Sequence, residues 1–249
     1  NRARVTALRT SSGRVCGAEV EVDGGAVSVA ARVVVNAAGP WVDRVRALED
    51  PRAGTSVQLS KGVHVMVPGG EGWDAALTIP QDDVRVTFAV PWYDMLLLGT
   101  TDTAYEGDPS AVAATPEDVE QVLREARLAL PEALVRPEAV RSVWAGLRVL
   151  PVGSRGTASA RRETVFSRGS GGMLSVAGGK LTTYRKIAPD ALGRVASDLG
   201  PHGLDRKPWP LPGAASGPAT TLPGSLEPRV RANLLHLYGS RAADVVRLA

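Results

Sequence analysis

Lys180, Arg148 and His64 are the side chains whose types and surroundings could do chemistry in this sequence. The run Gly178-Gly179-Lys180-Leu181-Thr182-Thr183 follows the apolar stretch Met173–Ala177 and opens a helical pattern. A strand, a double glycine and a helix start leave the N–H groups around Thr182 and Thr183 without carbonyl partners. With the Lys180 charge beside them they read as an anion site, the alternative being a plain strand-to-helix turn with a solvated lysine. It is not a triphosphate-binding loop: that motif needs Gly where Leu174 sits and Ser or Thr where Leu181 sits. Arg148 alternates with Trp144 on one strand face, where a guanidinium suits two-pronged recognition of phosphate or carboxylate. His64 shares a strand face with Met66; it reads either as a structural histidine or as an acid–base group. Asp102, Glu106 and Asp108 lie in a stretch rich in Thr, Gly and Pro, and read as a hydrogen-bonded loop before a hard-metal site.

Regular elements must carry these groups. Val5–Leu8 and Val15–Val22 flank Ser11-Ser12-Gly13, and Asp23-Gly24-Gly25 turns into Ala26–Ala31, which predicts a three-stranded antiparallel meander. The continuous run from Arg32 to Gly39 predicts a strand buried on both faces of a parallel sheet. Gly39-Pro40 ends it, and Trp41–Leu48 predicts a short helix with Trp41, Val42, Val45 and Leu48 on one side. Between 57 and 103, Val63, Val65 and Val67 alternate with His64 and Met66. Val84, Val86, Phe88 and Val90 alternate with Arg85, Thr87 and Ala89. Both patterns predict antiparallel strands. Thr115-Pro116-Glu117-Asp118 starts a helix whose stripe is Val119, Val122, Leu123, Ala126 and Leu130. A helix follows Lys180, with Pro189 expected to kink or restart it. Residues 208–224 predict a linker, and Leu226–Ala249 helix with a break at Tyr238-Gly239-Ser240.

The composition excludes several classes. Of 249 residues, 44% are hydrophobic and 22% charged, as in a folded globular protein. The net charge of +3 is spread along the chain and does not point to nucleic acid. Cys16, the only cysteine, precludes a disulfide framework and a Cys-based zinc site, and reads as a small apolar strand residue. The three histidines have no metal-ligand spacing, so no metal is expected. No apolar run reaches the roughly 18 residues of a spanning helix.

Six segments occur in an order that resembles the FAD-dependent, quinone-linked glycerol-3-phosphate dehydrogenases: Val34-Val35-Asn36-Ala37-Ala38-Gly39-Pro40-Trp41-Val42, Leu59-Ser60-Lys61-Gly62-Val63-His64, Phe88-Ala89-Val90-Pro91-Trp92, Leu98-Gly99-Thr100-Thr101-Asp102-Thr103, Trp144-Ala145-Gly146-Leu147-Arg148, and Ala177 through Lys186. The likeness covers nearly the whole chain. It implies a mixed α/β fold: part of an FAD-binding Rossmann-like domain at 1–47, an antiparallel substrate-binding sheet at 48–163, the last strand and helix of the FAD domain at 164–204, and the start of a truncated helical domain at 205–249. It implies oxidation of sn-glycerol 3-phosphate to dihydroxyacetone phosphate, with FAD taking a hydride from C2 and a membrane quinone receiving the electrons. By the same resemblance Ala38, Gly39 and Pro40 line the flavin side, and Gly179, Lys180, Leu181 and Thr182 face the flavin ring. Arg148, Lys180 and Thr183 contact substrate, and His64 is the candidate base. A cytoplasmic protein peripherally attached to the membrane is implied, and a homodimer is allowed. The family's G-x-G-x-x-G turn has no match in 1–249, so we expect this chain to be the central and C-terminal part of a longer enzyme. The alternatives are a non-catalytic remnant of that fold, or an amine, hydroxyacid or glycerophosphate oxidase of the same superfamily.

Overall fold

The computed structural model describes residues 2–69, 72–83, 85–152, 164–200, 207, 209–211, 213–214 and 220–248. The chain divides into two compact units, Asn1–Leu204 and Asp205–Ala249.

The first unit opens with the expected meander: β1 (Ala3–Ser11), β2 (Arg14–Val22) and β3 (Gly25–Ala30), in that order and antiparallel. Ser12 and Asp23 sit at positive φ beside Gly13 and Gly24, which closes both hairpins tightly. The next strand departs from expectation. Only Val35–Asn36 forms β4, and Val35 is 41% exposed. Its one neighbour among the described residues is a parallel strand, so one flank and one face stay open where the sequence suggested burial on both sides. A 3-10 turn (Gly39–Trp41) leads into α1 (Val42–Glu49). Of its expected apolar side only Val42 is fully buried, while Trp41 and Leu48 stay largely exposed.

A six-stranded antiparallel sheet follows: β5 (Val57–Pro68), β6 (Leu77–Pro80), β7 (Val86–Trp92), β8 (Met95–Gly99), β9 (Thr103–Tyr105) and β10 (Ser142–Pro151). The order is β10-β5-β8-β7-β6, with β9 also paired to β5. Val84 lies outside the described residues. One sheet face packs on α2 (Pro116–Ala126), which the Thr115 hydroxyl and the Asp118 carboxylate cap reciprocally. Val65, Val67, Ile79, Ala89, Leu96 and Leu98 meet Val122, Leu123, Ala126 and Leu130 there. Alternation in β7 runs opposite to its hydrophobicity: Thr87 and Ala89 are buried, and Phe88 is 40% exposed. Thr87 is tolerated inside because its hydroxyl donates to Glu125 at 2.5 Å. Phe88 therefore joins His64 and Trp144 on the opposite, open face.

The chain then returns to the small sheet. β11 (Thr164–Arg168) pairs antiparallel with β12 (Leu174–Gly178), and β12 runs parallel to β4. Against it lies α3 (Tyr184–Leu199), through Ala191 and Val195 on Leu174. Pro189 neither ends nor restarts α3, which continues unbroken past it. In the second unit, α4 (Pro228–Tyr238), a 3-10 turn at Gly239–Arg241 and α5 (Ala242–Val246) reproduce the expected break. The Ser240 N–H donates to the Gly213 carbonyl at 3.1 Å, tying the proline-rich stretch to that break.

Candidate active site

Parallel strands β4 and β12 end side by side, and the chain leaves both through glycine. Ligands in α/β sheets lodge at such carboxyl ends. Here they border an open cleft of about 690 Å³, lined by Gly39, Leu147, Arg148, Gly178, Gly179, Lys180, Leu181 and Thr182 among others. The structure thus gathers Gly39, Arg148, Gly179, Lys180, Leu181 and Thr182 from three separate segments of the chain.

Each wall has a local cause. Gly178 and Gly179 both have positive φ (76° and 78°), a conformation costly for other residues. A Cβ on Gly179 would stand 2.6 Å from Thr164 Oγ1 and 2.7 Å from Ile187 Cδ1. The 3-10 turn Leu181–Thr183 then starts the helix. The N–H groups of Leu181 and Thr182 open that turn with no preceding helical carbonyl to accept them. Thr183 does not line the cleft. Its hydroxyl donates to the Lys180 carbonyl at 2.9 Å and accepts from the Lys180 N–H at 3.3 Å, so it closes the turn. Lys186, six residues on, pairs with Asp190 at 2.6 Å on the outer surface.

On the other wall the Ala38-Gly39-Pro40 turn is shaped by a residue the sequence reading passed over. Asn36 is buried; its amide donates to the Val42 carbonyl at 2.9 Å and to Ser175 Oγ at 3.2 Å, and its carbonyl accepts from the Ala38 N–H at 3.2 Å. Ala38 and Pro40 flank Gly39 there without lining the cleft themselves. A polar residue closing the apolar run Val33-Val34-Val35 was the available signal.

Arg148 enters from β10, directly opposite Ser60 of β5. Its guanidinium donates to Ser60 Oγ (3.3 Å), Thr100 Oγ1 (3.0 Å) and the Thr101 carbonyl (3.2 Å), and lies 3.7 Å from Asp102. Asp102 also accepts from the Ser60 hydroxyl. Asp108 instead caps the turn at Ser110 and pairs with Arg44. His64 does not line the cleft. It stands on the same sheet face, two register steps beyond Ser60, stacked on Trp144 at 5.8 Å and 19°. Burial, and then the Arg148 charge, holds its imidazole below its ordinary value. It is therefore a neutral imidazole near pH 7, able to accept a proton.

Residues 1–185 match the family described as FAD dependent oxidoreductase. The chain is 36% identical over 261 residues to a glycerol-3-phosphate dehydrogenase of Mycobacterium leprae, covering 99% of this chain and 44% of that protein. It thus spans under half the length of that relative. Among solved structures it superposes with TM-score 0.78 on the glycerol-3-phosphate dehydrogenase of Bacillus halodurans complexed with FAD, at 29% identity over 99% of this chain and 51% of the other. The L-alpha-glycerophosphate oxidase of Mycoplasma pneumoniae shares the fold, with TM-score 0.58 at 15% identity. Over most of its length, from the meander through the Lys180 turn, this chain belongs to the FAD dependent oxidoreductase family.

Proposed function

We propose that this chain is the substrate-facing portion of an FAD-dependent dehydrogenase that oxidises sn-glycerol 3-phosphate to dihydroxyacetone phosphate. The observation that carries this reading is the convergence of Arg148 with the Gly178–Thr182 turn on one cleft. The similarity to glycerol-3-phosphate dehydrogenases supports it. In this reading residues 1–47 and 164–204 face the flavin, 48–163 bind substrate, and 205–249 begin a helical domain.

The residues present fit a flavin ring. Gly179 permits the tight turn, since a Cβ there would meet Thr164 and Ile187, and the Leu181 and Thr182 N–H groups that open the turn would supply positive dipole to a flavin held in the cleft. When bound, FAD supplies the two-electron acceptor. On the opposite wall Gly39 would present backbone to it, with Ala38 and Pro40 shaping the turn on either side. Arg148 and Lys180 neutralise and orient the substrate's oxygen atoms, and His64, held neutral on the same sheet face beyond the cleft lining, is the base that would take the C2 hydroxyl proton from a substrate extending toward it. The final electron acceptor in this reading would be a membrane quinone, with the protein peripherally attached as a monomer or homodimer. No helix among the described residues is long and apolar enough to cross a membrane.

The test is anaerobic mixing of the flavin-bound enzyme with sn-glycerol 3-phosphate, glycine or proline. Bleaching of the flavin absorbance by glycerol 3-phosphate alone is expected. Bleaching by an amino acid instead would move the substrate assignment to an amine. Reoxidation by a soluble quinone analogue faster than by oxygen is expected, whereas stoichiometric peroxide would make the protein an oxidase.

A further inference from the structure

We propose that Asp102 is a positioning residue for Arg148, holding the guanidinium in one plane over Gly62 and thereby setting substrate affinity. This rests on the reading of Arg148 as a substrate-binding group. Separate segments build the cradle: Ser60 from β5, Thr100 and Thr101 after β8, and Asp102 before β9. Ser60 is fully buried, and the Arg148 and Asp102 side chains are only 20% and 12% exposed. Asp102 reaches Arg148 both through charge, at 3.7 Å, and through the Ser60 hydroxyl, which donates to Asp102 and accepts from Arg148 Nη1. The floor is Gly62: a Cβ there would stand 2.6 Å from Arg148 Nη2 and 2.7 Å from Nη1.

The physical argument is one of selection among rotamers. An arginine side chain is long and flexible, and its value in binding an oxyanion lies in presenting a planar fork in register. Acceptors on one edge and a bare glycine beneath leave this guanidinium one plane. A neutral acceptor in place of Asp102 would satisfy the N–H groups but would remove an opposite charge from beside a largely buried cation, which is costly. Asp102, which does not itself line the cleft, supplies that charge. Its loss leaves Arg148 present and charged but no longer fixed, so the defect falls on affinity.

The experiment is a double-mutant cycle in the flavin-bound enzyme, reading KM for sn-glycerol 3-phosphate, kcat, and inhibition by inorganic phosphate. Asp102→Asn keeps an acceptor for Ser60 and removes the charge. We expect KM to rise about tenfold with kcat within about threefold, and phosphate inhibition to weaken in parallel. In an Arg148→Ala background Asp102→Asn should add nothing further. Gly62→Ala, which lifts the guanidinium from the opposite side, should reproduce the KM effect if Asp102→Asn does not fold. Fully additive defects, or an unchanged KM in Asp102→Asn while Arg148→Ala is impaired, would overturn the positioning role alone. An unchanged KM in Arg148→Ala would overturn the substrate-site reading and this inference with it.

Discussion

The His64 imidazole is stacked on Trp144 and pressed against Gly99, where a Cβ would stand 2.8 Å from its Cδ2. Burial is the first cause of its lowered pKa and the Arg148 charge the second. Arg148→Met should therefore raise the His64 pKa without restoring it fully, which an imidazole NMR titration reads directly. Because the folded value is depressed, the stabilisation tied to neutral His64 is complete above its unfolded value of 6.5. It is lost as pH falls through the lower folded value. Lys180 and Lys186 separate for a different reason. Lys180 lines the cleft, and Lys186 is paired with Asp190 outside it. Lys180→Ala should raise KM for glycerol 3-phosphate strongly, while Lys186→Ala should change it less than about threefold, under about 0.7 kcal/mol, at fixed ionic strength. Equal effects would mean diffuse attraction instead of a site at this turn.

The helix α2 matters to the site although no residue of it lines the cleft. It holds the inner face of the sheet whose outer face presents Arg148 and His64. Two buried acids fasten it. Asp118 accepts from Lys61 at 2.5 Å and from the Thr115 N–H at 2.8 Å. Glu125 accepts from Arg85, from Thr87 and, at 2.8 Å, from Gln121. Burial alone would raise both carboxyls, but hydrogen bonds to Lys61 and Thr115, and to Arg85, Thr87 and Gln121, bring both below their ordinary values. Their contribution to stability is thus complete above the ordinary carboxylate range near pH 4 and lost as pH falls through the depressed values. Asp118→Ala removes half the capping box and strands the Lys61 cation. It should cost about 3 kcal/mol in urea unfolding at pH 7, and much less at a pH where Asp118 is protonated. A loss independent of pH would show that packing, not charge, holds α2.

At the scale of the whole chain, the proposed function makes the cleft one side of a cofactor site. Among the described residues the small sheet has three strands with β4 at an open edge, and the sequence 1–249 contains no G-x-G-x-x-G turn to hold a pyrophosphate. The 249-residue chain by itself should therefore bind FAD weakly and expose apolar surface at Val35, Leu181 and Tyr184. Micromolar FAD affinity by flavin fluorescence quenching of this chain would contradict that expectation.

The sequence alone determined the elements whose signals are local. The meander follows from two turn dipeptides, and α2 from a capping box before an apolar stripe. The break between α4 and α5 follows from Gly239. The backbone of the turn at Lys180 was legible for the same reason, since a double glycine before a helix start dictates its own conformation. Tertiary structure decided what depends on partners distant in sequence. It turned Thr87 inward because Glu125 waited there, and Phe88 outward because register allows one face only. It assigned Lys61 to α2 and gave the Thr183 hydroxyl to its own turn. It also placed Asp102 beside Arg148, 46 positions away by residue number, through a strand pairing that no local spacing encodes.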